Sequence, residues 1–128
     1  MSSIFFVKGV IPIISKEYHI KKSQEIEKII KNKNSVGNKY FVIYTMENVE
    51  TNHYRFSISI GKKFGIAVLR NKMKRRIREI IKNNINLIKN KDYVFVIKPA
   101  SNELDFSEIE KNIIYLLKKE ENKWRENM

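Results

Sequence analysis

Apolar positions along the chain switch between two periods, and the switches mark out six elements. From Ser23 the spacing is helical. Ile26, Ile29 and Ile30 share one face, Glu25, Glu27, Lys28 and Lys31 take the other, and Ser23 is a candidate N-cap. Asn32 to Asn38 is polar, contains Gly37 and predicts a turn. Tyr40 to Met46 (YFVIYTM) is aromatic and β-branched, so it predicts a strand with Tyr40 and Tyr44 on one face. Glu47 to Asn52 suits a hairpin loop. Tyr54, Phe56, Ile58 and Ile60 then alternate with Arg55, Ser57 and Ser59, the two-residue period of a half-buried strand. Beyond Gly61 and Gly65, the residues Leu69, Met73, Ile77, Ile80, Ile81, Ile85 and Ile88 recur at three- and four-residue steps and give the main helix an apolar stripe. A turn at Asn90 to Asp92 leads into the strand Tyr93 to Ile97, which Pro99 stops. A last helix opens over Asp105 to Glu110. Ser107 and Glu110 fit its capping box, and Phe106, Ile109, Ile113, Leu116 and Leu117 form its buried face.

The order is therefore α-β-β-α-β-α: a single α+β domain with a small mixed sheet, its helices covering one side. Residues 15–120 make the domain, and 121–128 a C-terminal tail. If Tyr54–Ile60 and Tyr93–Ile97 are parallel neighbours, the unit joining them is a crossover, right-handed by the general rule. Residues 1–14 (MSSIFFVKGVIPII) form an apolar N-terminal extension of unknown role. Lys8 and Pro12 interrupt it, and it falls far short of the roughly 18–20 residues that span a bilayer. It lacks the basic start and small-residue cleavage site of a secretory signal, so the expectation is a cytoplasmic protein with no membrane partner.

Charge sharpens this picture. Of the net charge of +12, residues 62–82 hold nine basic side chains against one acid, Glu79, whereas residues 83–128 carry as many acids as bases. On a helical wheel Asn71, Arg75, Arg78 and Lys82 form one ridge. Lys72 and Arg76 stand on one flank, Arg70 and Lys74 on the other. Their mutual repulsion costs stability unless a polyanion is bound: a nucleic acid before a membrane surface or an acidic protein. Lys62 and Lys63 add two cations in a loop whose glycines permit close approach to phosphate. The chain has no cysteine, which excludes disulfides, thiolate zinc and thiol nucleophiles. Its two histidines, His19 and His53, are far apart, and Glu103, Asp105, Glu108 and Glu110 fit cap and surface positions better than a metal-binding carboxylate cluster. A self-sufficient nuclease is therefore disfavoured. A ribosomal or other structural RNA binder remains a rival.

The stretch GKKFGIAVLRNKMKRRIRE resembles the signature of the protein subunit of bacterial ribonuclease P, GKKxGxAVxRNRxKRxxRE. The resemblance runs from about Lys16 to Leu117 and takes in NKYFVIYT, YVFVIKPAS and the element order. It implies a fold similar to the second domain of ribosomal protein S5, with a left-handed βαβ crossover that overrides the general rule. It also implies an RNA-binding, non-catalytic subunit of an endoribonuclease. A catalytic RNA does the chemistry with Mg²⁺, removing the 5′ leader of precursor tRNA, and the protein itself requires no cofactor, metal site or catalytic residue. The implied partners are that RNA, one protein per RNA, and precursor tRNA. Carried over residue by residue, Lys62, Lys63, Arg70, Asn71, Lys72, Lys74, Arg75 and Arg78 would meet the catalytic RNA. Ile26, Ile30, Tyr44 and Lys98 would line a cleft for the single-stranded leader. Two departures matter. Isoleucines stand at 26 and 30 where many members carry phenylalanine, which weakens base stacking and leaves plain core as the competing role. Lys72 replaces the commoner third arginine, keeping charge but losing the guanidinium fork.

Overall fold

The chain folds in the order β1 (Ile4–Phe5), β2 (Ile13–Ile14), α1 (Ser23–Lys31), β3 (Ser35–Gly37), β4 (Phe41–Glu47), β5 (Arg55–Ile60), α2 (Ala67–Asn83), β6 (Lys91–Ile97) and α3 (Phe106–Glu126). The computed structural model describes residues 4–5, 13–14, 16–48 and 50–126. β1 and β2 pair antiparallel with each other, and the rest of the 1–14 extension lies outside the described residues. No helix among the described residues is long and apolar enough to cross a membrane.

One mixed sheet organises the domain, in the order β3-β4-β6-β5. β4 runs antiparallel to β6, from Phe41 opposite Ile97 to Glu47 opposite Lys91. β5 runs parallel to β6, from Arg55 beside Asp92 to Ile60 beside Ile97, so β5-α2-β6 is a crossover between parallel neighbours. The expected β4–β5 hairpin is thereby corrected, because β6 lies between those strands. The polar segment joining them is organised by Asn48, whose Oδ1 accepts the N–H groups of Glu50 and Thr51 at 3.1 and 3.0 Å. Parallel pairing with β6 offers β5 a partner buried on both faces, which direct pairing with β4 would not.

The turn expected over 32–38 is in fact strand β3, antiparallel to β4 with Val36 opposite Ile43. The reversal comes just after it. Asn38 Oδ1 accepts the N–H groups of Tyr40 and Phe41, so a side chain supplies the turn's hydrogen bonds. At the other end of the sheet the expected turn at Asn90 to Asp92 is shortened, since Lys91 and Asp92 already belong to β6.

Helices cover both faces rather than one. Phe41, Ile43, Tyr93, Phe95 and Ile97 pack with Met73, Ile77, Ile80 and Ile81 of α2 and with Ile109, Ile113, Leu116 and Leu117 of α3. On the opposite face Val94, with Tyr44, Met46 and Val96 beside it, packs with Ile20 and with Ile26, Ile29 and Ile30 of α1. Alternation along a strand requires this outcome once both parities are apolar, as they are in β4 and β6. Each side chain buried in full, such as Ile77 or Ile113 at 0% exposure, contributes about 1.5–3 kcal/mol.

Helix ends also differ from expectation. Lys22, not Ser23, occupies the N-cap of α1, with no side-chain cap bond. The capping box of α3 is formed by Asp105 and Glu108, not by Ser107 and Glu110: the Glu108 N–H donates to Asp105 Oδ1 at 2.8 Å and the Asp105 N–H donates to Glu108 Oε1 at 3.1 Å. Helix α2 stops at Asn83, so Ile85 and Ile88 reach the core from a short 3-10 turn and its end. Leu69 leaves the stripe altogether and is exposed.

Candidate nucleic-acid interface

Helix α2 has two jobs, divided by its 3.6-residue period. Met73, Ile77, Ile80 and Ile81 face the core, and the cations occupy the remaining arc. Asn71, Lys72, Arg75 and Arg78 are exposed, whereas Arg70, Lys74 and Arg76 are half-buried at the margins of the apolar stripe. The helix's one acid is spent close to home, since Glu79 pairs with Lys82 at 3.3 Å. Lys82 is thereby drawn off the ridge on which its spacing placed it. Arg70, Asn71, Lys72, Lys74, Arg75 and Arg78 are thus brought together on one helix, and Lys62 and Lys63 stand exposed in the 3-10 turn that precedes it.

The loop is tied to the helix through backbone. Gly65 takes a φ of +157°, a conformation that L side chains rarely adopt. Its carbonyl accepts the Nε–H of Arg70 at 3.1 Å, which holds that guanidinium over the helix start. Ile66, the N-cap residue, provides no side-chain cap bond, so the first N–H groups of α2 are left for water or an anionic ligand. Ile66 and Val68 are 69% and 70% exposed, beside exposed Leu69. This apolar lip next to the cations was not legible in the sequence, where Leu69 simply continued the core spacing.

The second group gathers on the α1 face of the sheet. Ile26 and Ile30 of α1 and Tyr44 of β4 are half-buried around the small core of Ile20, Ile29 and Val94. Tyr40 does not join them. It lies just before β4 and packs against the core on the other face. Lys98 follows β6 directly, and its Nζ donates to the Asn38 carbonyl at 2.7 Å, leaving further N–H donors of the ammonium for a ligand. α1 packs on the two central strands, β4 and β6. Ile26, Ile30 and Tyr44 keep partial exposure because, among the described residues, the nine-residue α1 and Ile20 before it cover this face, compared with two longer helices opposite.

Two further polar features frame these surfaces. At one end of β6, Asp92 accepts both the Nε–H and an Nη2–H of Arg55, at 3.0 and 2.7 Å, and Arg55 also reaches Glu25 of α1 at 2.8 Å. These carboxylates hold the Arg55 guanidinium well above its ordinary range, against the opposing effect of burial. The bridge ties α1, β5 and β6 together. His19 lies with its ring centroid 4.7 Å from that of Phe56. Burial lowers its pKa, and the charges of Arg78 and Lys21 lower it further, which shows that the segment before α1 runs within the field of the α2 ridge. Neither His19 nor Arg55 stood out in the sequence, since a lone histidine and a single strand arginine carry no spacing signal. Among the described residues, no three His, Cys, Asp or Glu side chains gather closely enough to hold a metal ion.

A four-stranded mixed sheet with three helices, a polybasic helix on one face and half-buried apolar residues around α1 on the other, defines a small α+β protein with a candidate nucleic-acid-binding surface. Comparison with known proteins gives the family. The Ribonuclease P family model matches residues 14–121, so the chain belongs to the ribonuclease P protein family. It is 50% identical over 101 residues to the ribonuclease P protein component of Acholeplasma laidlawii, covering 78% of this chain and 86% of that one. Among solved structures it is similar to the RNase P protein of Staphylococcus aureus, with a TM-score of 0.75 and 40% identity over 79% of this chain and 93% of that one. The RNase P protein of Thermotoga maritima gives a TM-score of 0.72 and 30% identity over 79% and 96% of the two chains. Membership makes the chain a protein component of a ribonuclease complex, an RNA-binding subunit in tRNA processing.

Proposed function

We propose that this protein binds the catalytic RNA of ribonuclease P through α2 and the 5′ leader of precursor tRNA through the sheet cleft. In this reading it assists Mg²⁺-dependent leader removal that the RNA catalyses. The observation that carries the proposal is the exposed arc of α2, where Asn71, Lys72, Arg75 and Arg78 face solvent while the one nearby acid is held by Lys82. Arg75 and Arg78 grip phosphates as planar forks, and Lys72, Lys74, Lys62 and Lys63 act as adaptable point charges. Arg70 and Asn71 complete the docking face at the helix start. Recognition is by backbone and shape, because an RNA duplex shows side chains little readable sequence.

The leader lies along the cleft, with Ile26 and Ile30 giving apolar contact, Tyr44 a ring for stacking and Lys98 a phosphate contact. One protein serves one RNA, in the cytoplasm. Mg²⁺ belongs to the RNA-catalysed step, and no residue of this chain is assigned to it.

Precursor tRNA cleavage at low Mg²⁺, assayed with protein alone, RNA subunit alone and both together, tests the division of labour. Cleavage only by the pair is expected, and cleavage by the protein alone would overturn it. Replacing Arg75 and Arg78 by Gln is expected to weaken RNA-subunit binding and reduce the slope of log affinity against log salt by about 2, one for each phosphate that no longer meets an arginine. An unchanged slope removes that ridge from the docking face.

A further inference from the structure

We propose that the solvent face of α3 is a second RNA-binding surface, which takes a single-stranded segment across Tyr115. The inference rests on the reading of the chain as an RNA-binding subunit, but it is independent of α2 being the main docking face. Lys111, Tyr115, Lys118 and Asn122 follow one another at four-, three- and four-residue steps, so they form a single exposed stripe along the helix. Lys119 and Lys123 flank it, and together with Tyr115, Lys118, Asn122 and Val36 of β3 they line a shallow hollow between α3 and the edge of the sheet.

By composition α3 is neutral, because from Phe106 to Lys123 it carries four acids and four lysines, Lys123 at its end included. The fold separates the two sets. Glu108 closes the capping box with Asp105, and Glu110 accepts the Asn84 amide at 3.1 Å. Glu120 is buried against Lys91, and Glu121 pairs with Lys89 at 3.7 Å. Every acid of that stretch is therefore engaged by a group outside the stripe. Lys111, Lys118 and Lys119 stand exposed, and no ion pair among the described residues reaches them. Lys123 Nζ donates to the Ser35 carbonyl at 2.9 Å, which fixes one cation at the floor of the hollow.

Tyr115 is 60% exposed. Among the described residues, the other large exposed hydrophobics, Ile66, Val68 and Leu69, all lie at the start of α2, within the interface already described. An exposed ring set among unneutralised lysines matches an unpaired base and its phosphates. A duplex keeps its bases stacked inside and would leave the ring without a partner. Flexible ammonium groups suit the variable backbone of a single strand. The position separates this surface from the first: α3 packs on edge strand β3 and its neighbour β4, whereas α2 packs on the opposite edge strand, β5. RNA docked on α2 therefore leaves the stripe open to another segment of the same RNA or of the substrate.

An eight-nucleotide oligouridylate carrying 4-thiouridine, photocrosslinked to the full chain and mapped by mass spectrometry, tests this directly. A crosslink within residues 111–123 that persists in the Arg75→Gln/Arg78→Gln variant and disappears in Tyr115→Ala is expected. Tyr115→Ala is expected to weaken binding of the oligonucleotide about tenfold. Lys118→Gln/Lys119→Gln is expected to lower the salt slope by about 1.4, at 0.7 for each single-strand phosphate contact. Crosslinks confined to α1, β4 or α2, with an unchanged slope for the lysine variant, would overturn the proposal while leaving α2 docking intact. Competition by polyglutamate, a polyanion without bases, is expected to be weak. Displacement of the crosslink by polyglutamate as readily as by unlabelled oligouridylate overturns it too. If the Arg75/Arg78 variant also keeps the parent affinity and slope for the RNA subunit, it is the α2 reading that fails.

Discussion

Gly65 shows how one residue can link stability to the interface. A Cβ added there would meet Leu69 Cδ1 at 3.1 Å, and the φ of +157° would strain any L residue. Gly65→Ala is therefore expected to destabilise the fold by about 1–3 kcal/mol, read as a lower midpoint in urea. His19 offers a second test at this scale. Its folded-state pKa lies below the ordinary value, so the unfolded chain binds the proton more readily. Stability should accordingly rise with pH between the folded pKa and the unfolded value of about 6.5, and level off above it. Replacing His19 by Gln should flatten that window. Replacing Arg78 by Gln should raise the His19 pKa, seen by NMR titration, because one of the two charges opposing protonation is gone. Which side chains were cationic was plain from residue identity. Which of them face solvent was not: Lys82 read as a ridge member, and it is Glu79 that holds it.

At the scale of elements, helix α3 begins with a reciprocal cap, expected from the sequence at Ser107 and Glu110. The structure chooses Asp105 and Glu108, because Leu104 at the preceding position is buried and the helix starts at Phe106. Asp105→Ala should cost about 0.5–2 kcal/mol in equilibrium unfolding, whereas Ser107→Ala, at an exposed position, should fall within about 0.5 kcal/mol of the parent. The opposite order of effects would restore the Ser107 cap. Helix α2 was legible almost throughout, since its apolar stripe and its basic arc are both local properties of one period. Its two ends were not. Leu69 keeps the core spacing yet projects beyond the sheet, and Ile85 and Ile88 reach the core only because the chain tightens into a 3-10 turn after Asn83.

For the whole molecule the sheet is fastened to α3 by a buried polar cluster. Lys91 Nζ donates to Glu120 Oε1 at 2.9 Å, Thr45 Oγ1 donates to the same oxygen at 3.1 Å, and Asn34 Nδ2 donates to Thr45 Oγ1 at 2.9 Å. The cluster joins β6, β4, α3 and the approach to β3, so it sets where the α3 stripe lies relative to Val36. Glu120→Ala strips the Lys91 ammonium of this carboxylate at a buried site and should destabilise the protein by about 3–5 kcal/mol in urea unfolding, with an unchanged dependence on denaturant concentration. A loss below about 1 kcal/mol would show that solvent reaches Lys91 readily.

Period and charge along the chain were enough for the helices and long strands, the α+β class and the polybasic arc, because each depends on neighbours within about four residues. The signature from Gly61 to Glu79 was likewise local, and so the family was legible. Strand order lay beyond that reach. That β6 enters between β4 and β5, that β3 is a strand, and that α1 sits on the opposite face from α2 and α3 follow from which apolar surfaces find each other across the chain. The same holds for charge. Residues 83–128 sum to zero in the sequence, yet the fold commits Glu108, Glu110, Glu120 and Glu121 of α3 to caps and partners and turns Lys111, Lys118 and Lys119 outward, since pairing is decided by distance in space.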